Sequence, residues 1–165
     1  MRGFAAGQIL SLLVRQGATA AVAESLTGGL IGAALTDPMG ASAAFRGGVI
    51  AYATELKIKL LGVPADLLER EGAVHPDVAA AMAKGVRDLT ESDYGLAVTG
   101  VAGPDMQDGK AVGTVYAAVC GPEGRVWHRN MMLNGSRERI REATAQEALE
   151  LLRGVLEANL GEQSG

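Results

Sequence analysis

Residues 19–29 read Thr19-Ala20-Ala21-Val22-Ala23-Glu24-Ser25-Leu26-Thr27-Gly28-Gly29 (TAAVAESLTGG). The first five, TAAVA, are short, apolar and free of glycine and proline, the pattern of a strand buried on both faces. Apolar sequence resumes after Gly29, and residues 27–36 (TGGLIGAALT) read as a helix that ends before Asp37-Pro38. A strand that passes directly into a helix is the first half of a βαβ unit. Ser25 stands at the handover. It is either an N-cap, which Thr27 could supply equally well, or a nucleophile at the carboxyl end of a strand, where open α/β sheets bind ligands.

Outward from this stretch the pattern repeats. Residues 47–52 (GGVIAY) and 94–98 (YGLAV) are two more short apolar strands. Helices are expected over 4–16, 54–61, 64–71, 76–90 and 136–160, several of them closed by glycine. In the first, Phe4, Ile9, Leu12 and Leu13 form the apolar stripe. Two strands, 113–119 and 125–133, flank Gly121-Pro122-Glu123-Gly124 and read as a hairpin. The expectation is an α/β fold: a single three-layer αβα domain over residues 1–165, with a mixed, mainly parallel sheet. The tail 161–165 (GEQSG) reads as disordered.

Composition narrows the function. The chain has 165 residues, 48% hydrophobic and 21% charged, an ordinary globular balance. A net charge of −4 and six aromatic residues, without any Lys/Arg run, speak against a nucleic-acid surface. No apolar run approaches the length of a membrane span. The lone Cys120 lies in an apolar run and reads as a buried small hydrophobe, in keeping with a reducing, cytoplasmic setting. No HExxH or CxxC occurs, so no metal site or cofactor is expected.

Serine needs a base. His75 precedes Pro76 and His128 lies mid-strand, so neither stands at a strand end and a Ser-His-Asp triad is disfavoured. Lysine is the alternative, provided burial lowers its pKa. Lys57 and Lys59 follow the second strand, and Tyr52 stands at its end. The third strand runs into a glycine-rich loop, Thr99-Gly100-Val101-Ala102-Gly103-Pro104-Asp105, which matches no phosphate-loop signature but offers backbone N–H groups to an anion. Arg137 and Arg141 share a face at the start of the last helix and suit a phosphate or carboxylate, or surface pairing with Glu138 and Glu142.

Taken together, the motifs resemble the nicotinamide-nucleotide amidohydrolase family, also called the CinA C-terminal domain family. They are AESLTGG (23–29), Phe45-Arg46-Gly47-Gly48 leading to Tyr52-Ala53-Thr54-Glu55-Leu56-Lys57, LLGV (60–63), GAV (72–74), TGVAGPD (99–105), VGTV (112–115) and Gly135-Ser136-Arg137 through Arg141. The resemblance covers about residues 5–158. Leu26 stands where many members have cysteine, and residues 53–56 and 106–109 differ from the common pattern.

The resemblance implies hydrolysis of nicotinamide mononucleotide to nicotinic acid mononucleotide and ammonia. It implies Ser25 as nucleophile, Lys57 as base and Tyr52 assisting. Substrate contacts are expected from Thr27, Gly28, Gly29, Thr99, Gly100, Gly103, Arg137 and Arg141, with the Thr27-Gly28-Gly29 amides as oxyanion donors. The larger relatives carry an N-terminal nucleotide-hydrolysing domain, of which this sequence shows no counterpart. The expected partners are a small nucleotide substrate and further copies of the chain in a dimer or larger oligomer, with neither nucleic acid nor membrane. The rival readings are a non-catalytic nucleotide-binding or competence-related module, and a serine hydrolase of another small amide.

Overall fold

TAAVA becomes the centre of the sheet. The structure, a computed structural model, describes residues 2–164, with side chains from 4 to 162. Five strands are present: β1 (Ala20–Glu24), β2 (Phe45–Ile50), β3 (Tyr94–Gly100), β4 (Thr114–Cys120) and β5 (Val126–Met132). Their order is β2-β1-β3-β4-β5. β1 pairs in parallel with both β2 and β3, while β3–β4 and β4–β5 are antiparallel. Only β4 therefore runs against the common direction, and the sheet is mixed and mainly parallel, as the sequence suggests.

The helices are α1 (Arg2–Gln16), α2 (Leu30–Thr36), α3 (Thr54–Leu61), α4 (Ala65–Glu71), α5 (Pro76–Thr90) and α6 (Arg137–Ser164). The two-residue period of the strands divides them between two cores. Ala20 and Val22 of β1 join Ile9, Leu13, Ile31 and Leu152 from α1, α2 and α6. Ala21 and Ala23 face Leu61, Leu67, Val78 and Met82 from α3, α4 and α5. Helices thus cover both faces, which is why the inner strands β1 and β3 are buried along their whole length. The edge strands β2 and β5 alternate between half-buried and exposed.

The second core is built from small side chains. Ala21, Ala23, Ala97 and Ala118 floor it, and α5 lies against them at backbone distance. A Cβ added at Gly95 of β3 would fall on the Ala83 carbonyl oxygen of α5, and one at Gly85 of α5 would fall on the Leu61 carbonyl oxygen of α3. α5 in turn packs closely against α3, and α3 carries Lys57.

Four expectations are corrected. Residues 27–29 form a turn rather than the start of α2, because Gly28 and Gly29 adopt φ of 58° and 111°. β3 continues through Thr99 and Gly100, so these two belong to the strand and not to the following loop. Phe4 lies outside the apolar stripe of α1 and is 63% exposed. The last helix runs to Ser164 rather than ending at Leu160, although Gly165 of the expected tail lies outside the described residues. A glycine such as Gly161 costs a helix about 1 kcal/mol, which the extensively packed length of α6 absorbs; Arg125 also pairs with Glu162 at 3.6 Å.

A Gly→Ala change inside a helix ordinarily stabilises by about 1 kcal/mol. At Gly85 the sign is expected to reverse, because the new methyl group meets backbone and not a flexible side chain. Gly85→Ala should destabilise the protein by about 1–3 kcal/mol, measured as a lower urea midpoint with an unchanged slope.

Candidate active site

Ser25 is held at the carboxyl end of β1 by a residue that looks merely buried in the sequence. The Glu24 side chain, 2% exposed, folds back beneath the turn. Its carboxylate accepts hydrogen bonds from the N–H groups of Gly29 (3.1 Å), Ile31 (2.9 Å) and Gly32 (3.0 Å). A carboxylate at a helix start satisfies orphan donors and complements the helix dipole. Glu24 therefore caps α2, and neither Ser25 nor Thr27 is needed for that task. The signal in the sequence was a glutamate closing an apolar strand just before Gly-Gly.

The Ser25 hydroxyl meets Lys57. Lys57 Nζ lies 2.9 Å from Ser25 Oγ, 2.6 Å from the Ala51 carbonyl oxygen and 3.3 Å from the Tyr52 carbonyl oxygen. The lysine is 1% exposed, and no carboxylate pairs with it among the described residues. Burial lowers its pKa from the ordinary 10.5 to about 8. An ammonium donates to all three oxygens. A neutral amine donates to the two carbonyls and directs its lone pair at Ser25 Oγ, ready to accept the hydroxyl proton. About a tenth of the molecules hold the neutral form at pH 7 if the pKa is about 8.

In front of Ser25 lies a cleft of about 300 Å³, lined by Ser25, Leu26, Tyr52, residues 100–107 and Arg137. The neighbouring order of β2, β1 and β3 brings these three strand ends together. Arg137 spans the cleft, donating to the Gly103 carbonyl oxygen (2.6 Å) and to the Tyr52 hydroxyl (3.3 Å). The 103–112 segment is fastened from below. The Asp108 carboxylate accepts from the Ala73 N–H (3.1 Å), and Lys110 Nζ donates to the Val74 carbonyl oxygen (3.1 Å). This gives the GAV segment a structural purpose that spacing did not disclose.

The other expected residues divide. Gly100 and Gly103 line the cleft with Arg137. Thr99 is buried and donates to the Ala73 carbonyl oxygen at 2.7 Å, so its hydroxyl braces the chain instead of meeting a ligand. Arg141 donates to the carbonyl oxygens of Leu26 (2.8 Å) and Thr27 (3.3 Å) and shapes the Ser25 turn. Thr27 is buried, and its hydroxyl has no hydrogen-bond partner among the described residues. The Gly28 N–H donates to the Ser25 carbonyl oxygen and the Gly29 N–H to Glu24, so these two amides are not available as oxyanion donors. The Tyr52 side chain is 61% exposed, with its hydroxyl on Arg137; its carbonyl, not its phenol, touches Lys57. His75 caps α5 by accepting from the Asp77 N–H, and His128 lies on edge strand β5, so the cleft contains neither histidine.

The family profile for the CinA C-terminal domain matches residues 4–156. The chain belongs to the CinA C-terminal domain family. A CinA-like protein from Frankia casuarinae is 54% identical over 150 residues, 91% of this chain and 34% of its own length. A putative competence-damage inducible protein from Halothermothrix orenii is 50% identical over 142 residues, 86% of this chain and 34% of its own length. This CinA-family chain thus spans about a third of the length of these curated relatives. Among solved structures, the competence/damage inducible protein CihA from Agrobacterium tumefaciens is 36% identical, with a TM-score of 0.89 over 94% of this chain and 95% of that one. A CinA superfamily protein from Klebsiella pneumoniae gives a TM-score of 0.91 at 28% identity, over 96% and 99%. Among the described residues of this CinA-family domain, no helix is long and apolar enough to cross a membrane.

The buried lysine should be visible in stability. The unfolded chain keeps the ordinary lysine pKa, so between about pH 8 and 10.5 it binds more protons than the folded chain. Unfolding free energy therefore rises with pH across that window. The difference between 10.5 and about 8 corresponds to ~3 kcal/mol. In urea titrations at stepped pH, the wild type minus Lys57→Met difference should climb between pH 8 and 10.5, whereas a flat difference would mean that the lysine titrates normally.

Proposed function

We propose that the chain is an amidohydrolase that uses Ser25 as nucleophile and Lys57 as base, and that its substrate is nicotinamide mononucleotide. The 2.9 Å contact between Lys57 Nζ and Ser25 Oγ, made out of water at the head of a cleft, is the observation that carries the reading. The family motifs supply the substrate, and Arg137 supports it by offering a guanidinium to a phosphate.

In this mechanism the neutral Lys57 amine takes the Ser25 proton as Oγ attacks the carboxamide carbon. The two carbonyls of Ala51 and Tyr52 hold the amine's own N–H bonds and so aim its lone pair. Charge develops on the carboxamide oxygen. With the Gly28 and Gly29 amides engaged, the donors this reading assigns are the N–H groups of Leu26 and Thr27, which follow the nucleophile in the chain and make no hydrogen bond among the described residues. Arg141, by fixing the Leu26 carbonyl, orients the Thr27 N–H, which lies in the same peptide plane. The Lys57 ammonium returns its proton to the departing nitrogen, the C–N bond breaks, and ammonia leaves. Lys57 then takes a proton from water, which attacks the acyl-serine; nicotinic acid mononucleotide forms and Ser25 regains its hydrogen.

Ammonia release from nicotinamide mononucleotide tests the reading. Ser25→Ala and Lys57→Met should each lower kcat by ~10³-fold or more, and the double variant should lose little further, because the pair acts as a unit. Full activity in Ser25→Ala sinks the mechanism. A second measurement concerns pH: log kcat/KM should rise towards a plateau above about pH 8 as the amine loses its proton, and a profile flat from pH 6 to 9 argues against lysine as the base.

A further inference from the structure

The cleft beside Ser25 carries two ionised side chains of opposite sign that do not neutralise each other. Arg137 gives its N–H groups to two uncharged oxygens, those of Gly103 and Tyr52. Asp105 lines the same cleft, is exposed, and makes no hydrogen bond or ion pair among the described residues. An arginine and a carboxylate in one small cleft gain by forking together, yet here each is left with its charge unpaired. The neighbouring ionised group, Lys57, is sealed behind Ser25.

A cleft that holds both signs apart suits a ligand that also carries both. We propose that Asp105 is the counter-ion for a cationic ring in the substrate, so that the site selects compounds bearing a phosphate and a permanent positive charge together. This rests on the amidase reading for the placement of the ring carboxamide at Ser25. The chemistry fits: the ring of nicotinamide mononucleotide is an N-alkylated pyridinium, positive at every pH, with a phosphate at the other end of the ribose. Arg137 then handles the phosphate and Asp105 the ring. Because Asp105 is exposed, its attraction to a cation in the cleft is worth about three- to ten-fold in affinity, enough to discriminate between otherwise similar ligands.

Reduced nicotinamide mononucleotide isolates this charge, since its dihydropyridine ring is neutral while carboxamide, ribose and phosphate are retained. Binding of both compounds is measured by calorimetry on the Ser25→Ala protein, which needs no turnover, and then with Asp105→Asn, Asp105→Glu or Arg137→Gln added. The oxidised-to-reduced affinity ratio should fall about three- to ten-fold with Asp105→Asn. It should largely recover with Asp105→Glu, and should stay unchanged with Arg137→Gln while both affinities drop. Raising the salt should compress the ratio in the Asp105 protein and not in the Asn variant. An unchanged ratio in Asp105→Asn, an equal loss for both compounds, or failure of both to bind overturns the assignment. Binding with the expected ratio but no ammonia release by the wild-type chain leaves Asp105 its role and overturns only the amidase reading.

Discussion

A lysine amino group buried without a carboxylate is the constraint around which this site is organised. Burying an ammonium is costly unless its protons are met, and here three oxygens meet them: one from a serine and two from the main chain at the end of the second strand. None of these oxygens carries a full negative charge. A carboxylate partner would have stabilised the charged lysine and raised its pKa; carbonyl oxygens satisfy its hydrogen bonds while leaving it near the point of losing a proton. The small-residue floor beneath α5 serves the same end, because α5 lies close to the sheet on one side and to α3, which carries Lys57, on the other.

The surrounding polar groups divide between support and exposure. Glu24, Thr99, Asp108 and Arg141 all spend their hydrogen bonds on backbone, and so hold the Ser25 turn and the 103–112 segment in place. Gly100, Gly103, Arg137 and Asp105 line the cleft itself. Preorganised surroundings of this kind spare the reacting groups reorganisation during the chemical step.

Much of this was legible in the sequence, and the remainder was hidden for physical reasons. The apolar strands TAAVA and YGLAV announce a sheet covered on both faces, because strands buried on both sides are apolar at successive positions, whereas GGVIAY reads the same way and belongs to the half-exposed edge strand β2. Ser25 and Tyr52 could be placed at strand ends, but the pairing of Ser25 with Lys57 across 32 residues depends on strand order, which periodicity does not reveal. Ser25 and Thr27 matched capping preferences better than Glu24 did, yet the carboxylate reaches three amides where a hydroxyl would reach one. Thr99 looked like a loop residue because glycines follow it, but pairing with β4 carries the strand through Gly100.

The Glu24 cap has a consequence for how this architecture can evolve. The turn is secured by a carboxylate on one side of Ser25 and by glycine geometry and Arg141 on the other, so the serine hydroxyl contributes little to holding the chain in shape. Chemistry and folding are thereby carried by adjacent but different residues. A descendant could exchange its nucleophile in a single codon, keep the same backbone, and persist as a binding protein with an intact cleft. Under the proposed mechanism, the residue that follows the capping glutamate, rather than the fold, would decide whether a chain of this shape can act as an enzyme.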